Sequence, residues 1–350
     1  RYIHSESSLA TFELEAAHAR DIIRVHGKSS FMEKIHSTFL ERSLRDAVFF
    51  DRIRMMQHPL QVILFLVTVA IIFYAGNHLV ETGNLSSQNF YAFLSGLSLL
   101  YTPLSGISND VGAFLSLSKL KYLNFIVQQN PAFEDSSDVP KQVHLSRISL
   151  KNLSFSYTST PLFQNLNLDI NVPILGFRGK NGSGKTTLAL LLCRVLSPGE
   201  GTIEFFDDHE KNIDSIPISY IDQNGTVFSL SLENNLFLPH LPKLQFLQYF
   251  PEMLQKESMG PENISSGQKK AVSIERALQH PSSLLIIDEP ENALDSSKKM
   301  ELRNILLEKN KNGVMIVLFS HDDFFLEICS NVMDMQILRA AEPSHVSRET

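Results

Sequence analysis

The sequence predicts all-α membrane helices followed by an α/β phosphate-loop nucleotide domain with a small helical subdomain. Three observations carry this prediction. Residues 57–80 and 85–109 are two neighbouring stretches of 24 and 25 residues without Asp, Glu, Lys or Arg. The segment GKNGSGKTT, Gly179–Thr187, fits the pattern of a glycine, four residues, then glycine, lysine and a hydroxyl. Beyond Leu145, short apolar runs of strand length recur, several of them ending in polar or charged residues.

Bulk properties narrow the field. A chain of 350 residues is long enough for two or three domains. Its formal net charge of −7 and pI near 6.0, with no concentrated basic stripe, argue against a nucleic-acid partner. Cys193 and Cys329 are the only cysteines, both in apolar contexts. They are expected as buried thiols in a reducing compartment, with no disulfide scaffold and no metal cluster. The sequence starts at Arg1 without an initiator methionine or a signal peptide, and is expected to be part of something longer.

Residues 1–56 are charged and helical in pattern. Ser7–Val25 and Phe31–Met56 carry apolar residues at mixed three and four spacings, broken at Gly27–Ser30 by a turn. Neither half is apolar enough to span lipid. The uncharged runs that follow are, since a span needs about 20 residues at roughly 1.5 Å rise. The second run carries Ser95, Ser98, Thr102, Ser105 and Ser108, which suits a helix with one side on other helices or on a path. Gly96, Pro103 and Gly106 permit bending. Arg42, Arg45, Arg52 and Arg54 precede the first span, and Lys119 and Lys121 follow the second. The connecting Glu81–Gln88 has no Lys or Arg, so both outer flanks are expected in the cytoplasm. Two spans cannot enclose a path, so further helices must come from elsewhere.

Gln128–Lys141 is polar, acidic and interrupted by prolines, as a linker is. Leu145–Phe155 reads as an edge strand, and Leu162–Ile170 continues the sheet. Pro173–Phe177 is a buried strand leading into the phosphate loop, and Thr187–Val195 leads out as a helix. Gly201–Phe206 and Ile216–Ile221 read as further strands. In such a loop the backbone N–H groups and the helix start attract phosphate. Lys185 then reaches the terminal phosphates, and the Thr186 hydroxyl holds Mg²⁺. Leu284–Pro290, LLIIDEP, is an apolar strand delivering Asp288 and Glu289 to a site at its C-terminal edge. Asp288 is the candidate to orient Mg²⁺ and Glu289 to polarise the attacking water. Val314–Phe319 ends at Ser320 and His321, whose imidazole can bond a phosphate or the attacking water.

This set resembles the ATP-binding cassette (ABC) transporters, and among them exporters with membrane and nucleotide domains in one chain. Gly179–Thr187 is similar to the family's phosphate loop, with Gly179, Asn181, Gly182, Ser183, Gly184, Lys185, Thr186 and Thr187 as ATP-binding positions. Gln223 in YIDQN matches its glutamine, a ligand candidate for Mg²⁺ and water. ISSGQKK, Ile264–Lys270, resembles its signature, so Ser265, Ser266, Gly267 and Gln268 are expected at nucleotide. Asp288 and Glu289 match the Mg²⁺ aspartate and catalytic glutamate, ALD (Ala293–Asp295) matches the loop with Asp295, and His321 matches the switch histidine. Tyr157 in SFSY matches the aromatic that stacks on adenine. Upstream, Glu13–Met32 resembles a cytoplasmic loop with a short coupling helix near Ser29–Lys34. The spans at about 59–80 and 88–109 then correspond to the fifth and sixth membrane helices, with Gly83–Phe90 as the outer turn.

The resemblance implies three regions. Residues 1–127 would be the C-terminal part of a transmembrane domain, 128–144 a linker and 145–340 the nucleotide domain. It implies a multi-pass protein of the cytoplasmic membrane with its nucleotide domain in the cytoplasm. The expected partner is a second half-transporter, a homodimer in preference to a heterodimer, and the cargo is an unidentified substrate. Three departures stand out. Ser266 replaces the usual glycine, with an expected backbone and steric cost. Only 40 residues separate Gln223 from Ile264, implying a small helical subdomain, and SHDDFF replaces a more familiar continuation. The last two point toward exporters of cyclic peptides and siderophore precursors. Two rival readings are a non-transport ATPase with the same nucleotide domain, opposed by the uncharged spans, and a catalytically weak subunit of a heterodimer. Glu289 and His321 oppose the second, while Ser266 leaves it open.

Overall fold

Helices open the chain: α1 (Tyr2–His18), α2 (Arg20–Val25), α3 (Ser29–Glu81) and α4 over 87–96. The computed structural model describes residues 2–96, 143–158, 160–256 and 259–339. The chain divides into two units, Arg1–Ser7 with Thr38–Glu134, and Ser8–Ser37 with Asp135–Thr350.

In the first unit, Val62–Glu81 is the one helical stretch among the described residues long and apolar enough to cross a membrane, with mean hydropathy 2.1. Ile63, Leu64, Leu66, Val67 and Ile71 are exposed along it. By length and composition this stretch overlaps the span expected at 59–80. Of the second expected span only the start lies among the described residues, as helix α4, and 97–109 lies outside them. The turn between α3 and α4 closes with Asn84 N–H to Leu79 O at 3.0 Å and Gly83 N–H to Val80 O at 3.0 Å. Phe90 lies on Gly76 so closely that a Cβ there would meet its ring at 2.0 Å. A glycine at this crossing lets the backbones of α3 and α4 approach closely.

The second unit holds two sheets. One is antiparallel, order β2-β1-β4-β5, from β1 (Leu145–Phe155), β2 (Phe163–Ile170), β4 (Glu200–Asp207) and β5 (Asn212–Ile213). The other is parallel, order β6-β7-β8-β3-β9. It comprises β3 (Ile174–Arg178), β6 (Ile218–Ile221), β7 (Leu284–Asp288), β8 (Met315–Ser320) and β9 (Asn331–Asp334). The expected edge strand β1 is in fact interior, paired on both sides by β2 and β4. Its mixed pattern reads as edge-like because one face is partly wet, not because a side is unpaired.

The parallel sheet explains its own sequence. β7 and β8 are buried at every position. Leu284, Ile286, Val317 and Phe319 face one apolar cluster with helix α5 (Lys185–Leu192) and β1. Leu285, Ile287, Ile316 and Leu318 face another with helix α7 (Ser266–Gln279) and the 232–259 segment. A strand covered on both faces reads as a continuous apolar run. The subdomain between Gln223 and Ile264 is small, as expected. It holds helix α6 (Leu232–Asn235) and two single 3₁₀ turns. Helices α8 (Ser296–Lys311), α9 (Asp323–Leu326) and α10 (Met335–Arg339) complete the unit. Cys193 is buried and Cys329 half-buried, both free.

Within this unit, both α2 and the Ser29–Lys34 segment pack against the body of the two sheets, with Met32 buried and the Phe31 ring 6.2 Å from that of Phe237. Ser29–Lys34 is the first turn of the long helix α3. The chain turns at Gly27, and Ile22 and Ile23 of α2 are buried. The Arg24 guanidinium donates to Val195 O at 3.0 Å, and Ser229 donates through N–H and Oγ to the Glu15 carboxylate at 2.6 and 2.5 Å. His26 follows α2, its ring 5.2 Å from that of His280. Burial, with the nearby charge of Lys28, lowers His280 to about 4, and burial holds His26 well below its ordinary value. Protons refused by the folded state but accepted by the unfolded chain lower stability as pH falls from 6.5 to about 4. A thermal unfolding series from pH 7 to 4 should show this decline, and His280→Gln should lose less of its midpoint across that window than the parent.

Candidate functional site

The site forms at the C-terminal edge of the parallel sheet, where open α/β sheets place ligands. β3 ends at Arg178, the loop 179–184 follows, and α5 begins at Lys185. Gly184 adopts φ +97° in the left-handed region, and a Cβ there would meet Phe163 at 3.1 Å. Only glycine turns the chain this way without strain, which points the first N–H groups of α5 into the loop. Gly179, Asn181, Gly182 and Ser183 complete the loop, and Thr187 lies in the first turn of α5.

Lys185 is 5% exposed. Its ammonium donates to Gly179 O at 2.8 Å and pairs with Glu289 Oε1 at 3.0 Å. Thr186 Oγ1 donates to Asp288 Oδ2 at 2.6 Å. Gln223 Nε2 and Asn292 Nδ2 both donate to Glu289 Oε2, at 2.7 and 2.8 Å. Residues distant in sequence thus converge: the loop, Gln223 after β6, and the two carboxylates at the end of β7. Gln223, expected as a ligand for Mg²⁺ and water, is held by its side-chain amide on Glu289.

The two adjacent carboxylates are driven apart. Burial raises Asp288, and the neighbouring Glu289 charge adds to this against the Thr186 hydrogen bond. Burial also opposes ionisation of Glu289, but hydrogen bonds from Lys185, Asn292 and Gln223 prevail and hold it below the usual carboxylate range. Neighbouring acids with separated affinities are how one site assigns distinct roles to like groups. Glu289 itself has φ +47°, a left-handed conformation costing a non-glycine residue about 1–3 kcal/mol. Its N–H donates to Phe319 O at 2.8 Å, which helps hold that conformation.

Two buried polar atoms of this cluster, Asp288 Oδ1 and Ser183 Oγ, have no hydrogen-bond partner among the described residues. An acceptor-only carboxylate oxygen beside a hydroxyl fits Mg²⁺, which uses one or two protein oxygens and completes its shell with phosphate and water. The described residues contain no group of three or more His, Cys, Asp or Glu that would form a dedicated metal cage.

The other expected residues lie around this core. Tyr157 is exposed, its hydroxyl 3.4 Å from Thr187 Oγ1 and its ring edge-on to Phe155 at 4.9 Å. His321 bonds Glu291 rather than the cluster, with its ring Nδ1 and its backbone N–H each 3.0 Å from Glu291 Oε1. Ser265 caps α7 in a reciprocal box with Gln268, whose amide also donates to Glu252 at 3.1 Å. Gly267 packs on Ala293 O. Asp295 caps α8 and pairs with Lys298 at 2.6 Å. Ser266 is the first residue of α7 and is not among the positive-φ residues, so its Cβ carries no backbone cost. That removes the conformational part of the penalty expected there, since a helix start accepts any L-residue. Sequence reasoning missed Asn292 and Glu291. Both stand in the Pro290–Asp295 turn, within reach of the ends of β7 and β8.

Residues 163–292 match the family model described as ABC transporter. A probable ABC transporter ATP-binding/permease protein of Haemophilus influenzae is 28% identical over 72% of this chain and 50% of its own length. An ATP-dependent lipid A-core flippase of Syntrophus aciditrophicus is 26% identical over 71% of this chain and 45% of its own. The lactococcin-G-processing and transport ATP-binding protein of Lactococcus lactis is 25% identical over 89% of this chain and 48% of its own. The chain spans about half the length of these curated relatives.

Removing the Lys185 ammonium should abolish most nucleotide affinity, since the remaining loop donors are neutral. Titration of Lys185→Ala with a fluorescent ATP analogue checks this. In the same assay Tyr157→Phe should bind near the parental level and Tyr157→Ala more weakly, because an aromatic face rather than the hydroxyl is what a base would stack on.

Proposed function

We propose that the chain, whose residues 163–292 match the ABC transporter family model, is the C-terminal part of an ATP-driven export half-transporter that works as a dimer in a membrane. The observation that carries this reading is the meeting of Lys185, Thr186, Gln223, Asp288 and Glu289 at one sheet edge. Residues 1–127 then form the end of the membrane domain, 128–144 the linker and 145–340 the nucleotide domain. The apolar stretch Val62–Glu81 supports membrane location, and a second span at 88–109 belongs to the proposal.

The residues divide the work of ATP hydrolysis. The loop N–H groups and the start of α5 bind the phosphates, and Lys185 supplies a point charge at the terminal ones. Thr186 Oγ1 and Asp288 Oδ1 would hold Mg²⁺, which neutralises charge between the β- and γ-phosphates when bound. Tyr157 stacks on the adenine. Glu289 Oε1 accepts a proton from, or orients, the water attacking in line, and Gln223 and Asn292 aim its carboxylate.

The ion pair between Lys185 and Glu289 gives this arrangement a sequence of events. Phosphate oxygens compete for the same ammonium, so ATP binding draws Lys185 away from Glu289. The carboxylate thereby loses the first of the hydrogen bonds that hold it below the usual range, and becomes more basic as substrate arrives. His321, anchored by Glu291, would reach the γ-phosphate after a side-chain movement.

The second half of each site comes from another chain. Ser265, Ser266, Gly267 and Gln268 form the start of α7, the two serines exposed and the next two residues half-buried, a capped helix N-terminus of the kind that favours phosphate. With Asp295, two residues beyond the Ala293 carbonyl on which Gly267 packs, they are proposed to face the nucleotide held by the partner. ATP then joins two domains, hydrolysis releases them, and the α2 segment transmits the change to the membrane helices. The cargo stays unassigned.

Glu289→Gln tests the mechanism. It keeps size and a hydrogen-bonding oxygen while removing the charge, so ATP binding should survive and hydrolysis should fall by at least ~10²-fold. The variant should accumulate as a closed dimer in ATP, measured as ATP occupancy and hydrodynamic size on the same preparation. Hydrolysis at near the parental rate would remove both the catalytic assignment and the cycle built on it.

A further inference from the structure

Lys270 is 1% exposed on the fifth position of α7, among Ala271, Ile274 and other buried residues. Its ammonium donates to Asp222 O at 2.8 Å, Gln223 O at 3.3 Å and Asp288 O at 3.0 Å. An ammonium has three N–H donors, and here three carbonyls take them. The carbonyls belong to the ends of two adjacent parallel strands, β6 and β7. Each strand end carries a side chain of the cluster, Gln223 on one and Glu289 on the other.

The peptide between Asp288 and Glu289 is held from both sides. Its carbonyl accepts from Lys270, and its N–H donates to Phe319 O at 2.8 Å. That peptide leads into the left-handed conformation of Glu289, so its orientation sets where the carboxylate lies. The loop after Gln223 is fixed to the same point of α7. Gly225 has φ +70°, and a Cβ there would meet Lys270 N at 2.5 Å, so the loop lies flush on the helix backbone. Ser273, one turn on, donates to Asp222 Oδ1.

We propose that Lys270 is a positioning residue for ATP hydrolysis. It clamps the backbone on which Gln223 and Glu289 stand, and ties it to the helix whose N-terminus serves the partner's nucleotide. The proposal rests on the ATPase reading above and adds a residue to it. Its consequence is a rigid link between the two composite sites of a dimer. A movement of the α7 N-terminus on one nucleotide shifts the Asp288–Glu289 peptide that works on the other. Burial lowers Lys270 to about 8, and the carboxylates of Asp222, Asp288, Glu291 and Glu289 oppose that fall.

The test compares Lys270→Met and Lys270→Gln with the parent in the full-length protein that contains this chain. Thermal unfolding, ATP affinity and steady-state kcat are measured on each. Met keeps length without donors, and a misplaced catalytic group of about 1 Å costs on the order of 10²-fold, so kcat should fall roughly 10- to 100-fold. ATP affinity should stay within about threefold, because binding uses Lys185 and the loop. Gln offers two N–H donors and should recover part of the lost kcat. A folded Lys270→Met with kcat within about twofold of the parent overturns the proposal, as does a loss of ATP affinity equal to the loss of kcat. Lys270→Gln turning over no faster than Lys270→Met overturns it too. If Lys270→Met does not fold, Lys270→Gln decides alone. An intermediate kcat with parental affinity supports the clamp, and a parental kcat sinks it. A parent that binds ATP but does not turn over sinks the ATPase reading itself, and the clamp with it.

Discussion

The site depends on how far apart the parallel sheet holds its strand ends. Lys185 follows β3 and Glu289 follows β7, yet these strands are not neighbours, because β8 runs between them. At about 4.8 Å per strand their axes are roughly 10 Å apart. The long lysine side chain reaches across that gap to Glu289 at 3.0 Å. β8 fills the space beneath, and its last carbonyls hold the carboxylate strand, with Phe319 O receiving the Glu289 N–H. Insert or remove a strand and the ammonium meets no carboxylate. The loop, the strand order and the left-handed turn at Glu289 are one constraint expressed in three places.

That constraint also explains why much of the site was legible in the sequence. A loop that must present N–H groups to phosphate needs glycine where the chain turns left-handed, as at Gly184, and a point charge at Lys185. A strand that delivers two carboxylates through a covered sheet needs an unbroken apolar run before them, which is LLIIDEP. These demands are local, so they mark the sequence locally. The sheet partition is not local. β1 pairs with β2 and β4, both outside the parallel sheet, and nothing in its own residues says which sheet it joins. The two short strands β5 and β9 went unseen because two and four residues show too little periodicity to register.

The N-terminal contacts are illegible for a similar reason. Charge and apolar spacing locate a break at Gly27–Ser30, and the chain does turn there. Both sides of the break pack on the same unit, α2 through Ile22 and Ile23 and the start of α3 through Phe31 and Met32, and that unit's surface decides which residues are covered. Val195 offers a free carbonyl to Arg24, and His280 and Phe237 receive His26. None of those partners is visible from residues 1–56. Lys270 was missed for a different reason. It lies within the segment resembling a family signature, and that resemblance directs attention to Ser265–Gln268. Helical spacing alone marks it, since Lys270, Ser273, Ile274 and Ala277 share one stripe and all are buried.

Lysine in such a stripe is costly to bury, and α7 repeats the device. Glu275, fully buried, accepts the N–H groups of Gln245, Phe246 and Leu247 at 2.7–2.9 Å. Arg276, 1% exposed and lowered by burial to about 10, donates to Asn235 O at 2.6 Å and Thr226 O at 2.9 Å. One helix therefore directs buried polar groups to the segments around it, and the bonds that Lys270 and Arg276 donate, with the three amides that Glu275 accepts, end on backbone. The reason lies in the small subdomain. With one four-residue helix and two single 3₁₀ turns it cannot satisfy its own N–H and C=O groups through regular structure. The deficit is met from α7. A buried charge bonded to backbone is hard to exchange for a hydrophobic residue, because the carbonyls or amides it serves would be orphaned. So the segment that is poorest in helix becomes the one most tightly bound to a single helix. When α7 moves, the subdomain and the ends of β6 and β7 have to move with it.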